Sequence, residues 1–236
     1  MIKNFNHECA LKTAGLLANR ARLANWPAEA AENAFEELGA LANVQIEKNN
    51  HEAFVVHFEA FVIIVFRGTE KDYEDILTDL NCDLEKPTEN STAEIHDGFL
   101  KGARALYVQI ISAIRTTKAK TKPVFFCCHS LGGALAQLSA WTLADEFDQK
   151  PIVYTFGSPR VGSKHLDPLF KYWFTHFRIV NGCDIVPSVP LVVMGYRHSQ
   201  NVEIYISSAG SVELNPSAVW RKLNELWDTV EGLADG

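Results

Sequence analysis

The chain has 236 residues, 47% of them hydrophobic, and a net charge of −7. That length suits one α/β domain with a sizeable core over residues 1–236, since two domains would each be small. The negative balance argues against nucleic acid, which demands clustered Lys and Arg, and gives no help toward anionic membranes. No apolar run approaches the ~20 residues that span a bilayer.

In chain order, helices are expected over 7–25, ended by Trp26-Pro27, and over 28–41. Lys12 and Arg20 interrupt the first apolar stretch, which predicts no signal peptide. Strands follow near 44–46, 53–58 and 61–66, with a tight turn at Glu59-Ala60. Three strands in quick succession imply an antiparallel start to the sheet. Arg67-Gly68-Thr69 closes the third strand. Residues 70–92 are acidic and polar, but Tyr73, Ile76, Leu77 and Leu80 fall at i, i+3, i+4 and i+7, one stripe of a helix. His96-Asp97-Gly98-Phe99 opens a helix with Phe99, Ala103, Leu106, Ile110 and Ile114 on one face.

Residues 124–128 form an unbroken apolar run after Pro123, as in a parallel strand buried on both faces. The run stops at Ser130; Gly132 and Gly133 follow, then a helix ending near Phe147. The plan is strand, sharp turn, helix, with a hydroxyl at the apex. The helix end presents free N–H groups and a positive partial charge where an oxyanion forms. Beyond it come a strand at 152–156, a helix at 165–173, a strand at 177–180, a turn-rich loop at 181–190, a strand at 202–206 and an amphipathic helix at 216–230. Alternating strands and helices from 61 onward predict a mostly parallel sheet with helices on both faces. The segments that follow strands should gather on its carboxyl edge, where such sheets hold ligands.

The five cysteines, Cys9, Cys82, Cys127, Cys128 and Cys183, are odd in number and contain no C-x-x-C pair. Reduced thiols in a cytoplasmic protein are the reading they suit. No metal-ligand spacing and no phosphate-binding glycine loop occur, so neither metal nor cofactor is expected.

A serine nucleophile needs a base in hydrogen-bond reach and an acid to orient that base. With this elbow the chain order is Ser, acid, His. After Ser130 only His165, His176 and His198 remain. His165 falls in a helix and His176 at the start of a strand, so His198 is the expected base. Asp184, just past the strand at 177–180, is the expected acid; the alternative for it is an Asx turn. Two N–H donors must converge on the oxyanion. Leu131 follows the nucleophile, and Thr69 follows the strand at 61–66. Arg67 is expected to bridge loops, and His96 to cap or brace one.

These blocks resemble the class 3 lipases, the α/β-hydrolase family that includes fungal triacylglycerol lipases and feruloyl esterases. Phe66-Arg-Gly-Thr69 is similar to the family's oxyanion segment, Ile95-His-Asp-Gly-Phe99 to its helix entry, and His129-Ser-Leu-Gly-Gly-Ala134 to its nucleophile elbow. Thr155-Phe-Gly-Ser-Pro-Arg-Val-Gly162 and Arg178-Ile-Val-Asn-Gly-Cys-Asp-Ile-Val-Pro187 are similar to the stretches that follow. One departure is Cys128, where the elbow usually has glycine. The resemblance implies an α/β-hydrolase fold and a serine ester hydrolase with a Ser130–Asp184–His198 triad and an acyl-enzyme. It also implies a lid within 70–92, a small-molecule or lipid ester substrate, and at most transient contact with a lipid interface. An acyltransferase on the same triad, or a binding module keeping the fold without catalysis, are the alternatives.

Overall fold

The computed structural model describes residues 28–67, 83–116, 121–182, 184–199, 202–207 and 210–217. Helix α1 (Ala28–Glu37) precedes strands β1 (Ala42–Lys48), β2 (His51–His57) and β3 (Val62–Phe66). These three pair antiparallel in sequence order, as the two short connections require. All five residues of β3 are buried, so it has no solvated face and its unbroken Val-Ile-Ile-Val-Phe run follows.

From β3 the sheet becomes parallel. Strands β6 (Val124–His129), β7 (Ile152–Phe156), β9 (Thr175–Asn181) and β11 (Val202–Ile206) add in turn. A short β12 (Val212–Leu214) closes that edge antiparallel. The connections carry α2 (Asp97–Thr116), α3 (Leu131–Thr142) and α4 (Leu166–Trp173). In α2, Asp97 favours the positive helix start and pairs with Lys101 one turn on. Its face of Phe99, Ala103, Leu106, Ile110 and Ile114 is buried.

Two apolar clusters lie against the sheet. One joins α2, α3 and α4 to Val55, Ile64 and Phe126; the other holds Phe35 of α1 against Phe54, Val65 and Phe125. Neighbouring residues on β3, such as Ile64 and Val65, thus serve opposite faces. Burying each such side chain contributes about 1.5–3 kcal/mol.

The sequence reading missed a second, four-stranded sheet in the order β10-β8-β5-β4. Its members, β4 (Leu84–Glu85), β5 (Ile95–His96), β8 (Gly162–Ser163) and β10 (Tyr196–Arg197), have two residues each, too few to show a period. The expected helix at 7–25, the stripe Tyr73, Ile76, Leu77 and Leu80, and Thr69 lie outside the described residues, as does the expected helix at 216–230 beyond Pro216 and Ser217, which are not helical. No helix among the described residues is long and apolar enough to cross a membrane.

Candidate active site

Four neighbouring parallel strands, β3, β6, β7 and β9, end on one edge. Arg67, Ser130, Gly157 and Asp184 follow those ends, as expected for the carboxyl edge.

Ser130 is the turn between β6 and α3. Its φ is 53° and its ψ is −129°, a region where a residue with a Cβ is strained. The turn is held by its neighbours: the Ser130 N–H donates to Phe156 O at 3.0 Å, and Gly133 N–H to Ser130 O at 2.9 Å. A Cβ on Gly132 would stand 2.5 Å from Phe66 O. Only glycine lets α3 start that close to β3. Leu131, the first residue of α3, carries an N–H that helix geometry leaves without an intrahelical acceptor.

Cys128, the departure from the usual elbow, fits because its side chain turns toward β3. Its Sγ accepts the Phe66 N–H at 3.1 Å, and the residue is fully buried. Burial pushes this thiol up to about 12, so it is neutral. Cys127 and Cys128 are both free. Sealed from oxidant in the core, they carry no information about compartment.

Asp184 leaves β9 through a tight turn, with its N–H on Asn181 O at 2.8 Å. One carboxylate oxygen, Oδ1, accepts the Val186 N–H at 2.9 Å in an Asx turn. The other, Oδ2, lies where a side chain on Gly157 would begin, 2.2 Å from that Cβ position. His129 Nε2 is 3.6 Å from the same point. Gly157, with φ +56°, therefore clears the space that the carboxylate occupies between the elbow and the acid turn.

His198 lies in the loop before the last parallel strand, where the sequence reading put it, and its ring is bonded to the backbone rather than to Asp184. It precedes β11, which runs parallel to β9, so its loop enters at the amino edge of the sheet. Ser199 O accepts from Nδ1 of His176 at 2.7 Å. His176 sits three residues before Ile179, which pairs with Phe156 and, through it, with His129. That separation is roughly 10 Å along the strand. The His198 Nε2–H donates to Pro187 O at 2.6 Å, since a carbonyl only accepts. Burial, then the nearby Arg178, push its pKa well down; the Pro187 hydrogen bond pulls the other way, and Arg160 and His176 add smaller downward pushes. A triad histidine gives its N–H to the acid; this one gives it to the backbone of the acid loop. The triad expected from sequence is thus not assembled on His198 in this structure.

His176 holds the same region together. Ser199 O fixes its Nδ1 as the N–H, so Nε2 accepts the Thr155 hydroxyl at 2.8 Å. Burial depresses its pKa to about 3. Arg178 of β9 is paired with Glu203 directly opposite on β11, both buried. Arg67 bridges to Glu52 of β2 at 2.5 Å, a strand residue rather than the second loop expected. The Phe99 N–H donates to His96 Nδ1 at 3.3 Å, with the imidazole stacked on Phe99.

Residues 63–194, more than half of the chain, match the lipase (class 3) family. The chain belongs to the class 3 lipase family. Among curated relatives of this lipase-family chain, the toxin TseL of Vibrio cholerae is 33% identical over 131 residues, covering 55% of this chain and 20% of the toxin. The secreted mono- and diacylglycerol lipase 1 of Fusarium solani is 34% identical over 111 residues, covering 44% of this chain and 32% of that enzyme. The chain thus spans a third or less of the length of these relatives. Among solved structures, a triacylglycerol lipase whose catalytic centre is a serine protease triad matches with a TM-score of 0.75 at 24% identity. That match covers 91% of this chain and 86% of the other, and the shared fold is the α/β-hydrolase fold. Relatives named as secreted, from Fusarium and Penicillium, overturn the expectation of a cytoplasmic protein.

Proposed function

We propose that the chain is a serine hydrolase of lipid carboxylic esters that acts outside the cytoplasm. Ser130 is its nucleophile, and its Oγ bonds the ester carbonyl carbon. The Ser130 proton passes to a base oriented by Asp184, and from there to the leaving alcohol as the ester C–O bond breaks. An acyl-enzyme remains, which water then hydrolyses. In the arrangement described, that base is not His198. Leu131 N–H and Thr69 stabilise the oxyanion, and the Tyr73–Leu80 stripe is the cover of the cleft. What carries the reading is Ser130 itself: a residue with a side chain, held at φ 53° between a buried strand and a helix start. Such strain persists only where the surroundings impose it, and it collects at functional sites.

His198 is given a different role from the one its chain order suggested. It braces the acid loop, by holding Pro187 O three residues beyond Asp184. Two substitutions test the pair of assignments. Ser130→Ala should cost on the order of 10⁶ in kcat on a soluble nitrophenyl ester, with the melting temperature kept. His198→Ala should lower stability by about 1–2 kcal/mol through the unpaired Pro187 carbonyl and reduce kcat by less than ~10²-fold, the scale of a small misplacement. A His198→Ala loss as deep as that of Ser130→Ala would restore His198 as the base. Residual Ser130→Ala activity within tenfold of wild type would remove Ser130 from the mechanism.

A further inference from the structure

Gln137 is the only amide side chain in α3, and it is 1% exposed. Burying an amide costs stability unless its hydrogen bonds are made, a cost that a leucine of similar volume would avoid. Gln137 makes its bonds in two directions. Nε2 donates to Gly133 O at 3.1 Å, one turn back along α3, and to Ser158 Oγ at 3.0 Å. A carbonyl only accepts, so Gly133 O fixes which end of the amide carries the nitrogen. Ser158 is fully buried too, and its hydroxyl donates to Pro159 O at 3.2 Å, which leaves the Oγ lone pairs to Gln137.

Ser158 ends the short connector that lies between the nucleophile and the acid. The Ser130 N–H donates to Phe156 O at 3.0 Å, and the Gly157 N–H to Ile179 O of β9 at 3.0 Å. Asp184 Oδ2 rests against Gly157, 2.2 Å from where a Cβ would stand. Gly157 has no side chain with which to hold its own place. Backbone bonds anchor the connector toward β6 and β9; toward α3 its anchor is Ser158. A Cβ on Gly133 would be 2.7 Å from Ser158 Cβ. Ser158 therefore lies close on the first turn of α3, and Gln137 ties it there from the next turn.

We propose that Gln137 is a positioning residue for the acid. Through Ser158 it fixes Gly157, and with it the place of the Asp184 carboxylate beside the Ser130 turn. It touches no reacting atom. The inference rests on the hydrolase reading, with Asp184 as the acid, and deepens it.

Gln137→Leu keeps most of the volume and removes the donor. Ser158→Ala removes the acceptor and keeps the Cβ on α3, so it carries the test where Gln137→Leu folds poorly. Each is made in the wild-type chain and in Asp184→Asn, and kcat, KM and the melting temperature are measured with a soluble nitrophenyl ester. In the wild-type chain each should lower kcat roughly tenfold, a part of the ~10² that a 1 Å misplacement costs, with KM within about twofold. In Asp184→Asn no carboxylate charge is left to place, so the further loss of kcat should be under about twofold. The melting temperature should fall equally in both backgrounds. Full kcat in both variants would overturn the proposal. So would a tenfold loss that persists in Asp184→Asn, the mark of a residue that only supports the fold. Either result in an active wild type removes the positioning role alone, whereas a wild type that hydrolyses no ester sinks the hydrolase reading and the positioning role with it.

Discussion

At the scale of single residues the site depends on what is missing as much as on what is present. Ser130 keeps a strained backbone because Gly132 lets α3 press against Phe66 O and because Phe156 O takes the Ser130 N–H. Asp184 keeps its Oδ2 beside the elbow because Gly157 has no side chain. Gly157→Ala is therefore expected to act on catalysis without touching a reacting group. The new Cβ would lie 2.2 Å from Oδ2, so the carboxylate must move. A displacement of that kind costs roughly 10²-fold in kcat. The φ of +56° adds roughly 1–2 kcal/mol of backbone strain. Initial rates on a soluble ester and a thermal melt separate the two effects; a variant with full kcat would show that Asp184 is not the acid.

At the scale of elements, the ends of β6, β7 and β9 are each followed by a turn tied by backbone hydrogen bonds. The acid loop is tied most, by Arg160, Arg197 and His198. The stripe Tyr73, Ile76, Leu77 and Leu80 makes a separate prediction. If it covers the cleft, Leu77→Asp should blunt the rise in rate as a neutral ester passes its solubility limit, while sparing the soluble rate. Rate curves across the solubility limit check this, and a curve unchanged by Leu77→Asp would show that the stripe is no lid.

At the scale of the whole molecule, buried neutral imidazoles link stability to pH. His176 has a folded pKa of about 3 against an ordinary 6.5. Between those values the unfolded chain binds a proton that the folded chain refuses. Stability is therefore complete above about pH 6.5 and falls as pH drops below it, by up to roughly 1.4 kcal/mol per pH unit. His198, whose pKa is also pushed down, adds in the same direction. Urea midpoints measured from pH 7 to pH 4 should decline steadily. His176→Asn should start lower, through the lost bonds to Thr155 and Ser199, and decline less steeply. Equal slopes in the two proteins would show that His176 does not titrate on unfolding.

Much of this architecture was legible in the residues. The short apolar runs at 61–66, 124–128 and 152–156, each too short for a helix and bounded by turns, read as buried strands from the residues alone. Ser130 followed from the switch between strand and helix periods, and Asp184 from its position one turn past a strand. The rule that parallel strands share a carboxyl edge also set aside His176, and applied with equal strictness it would have set aside His198, which precedes a strand. Chain order favoured His198; the direction of β11 decides against it. The two-residue strands of the small sheet were not readable, because so short a segment has no period and forms only when distant segments meet. The tolerance for Cys128 was not readable either. A thiol fits there because the Phe66 N–H of a strand some sixty residues earlier points at it. Local pattern determined which segments become strands and helices. Tertiary packing decided which side chains face one another across the sheet edge, since that depends on strand direction and on contacts that no local window contains.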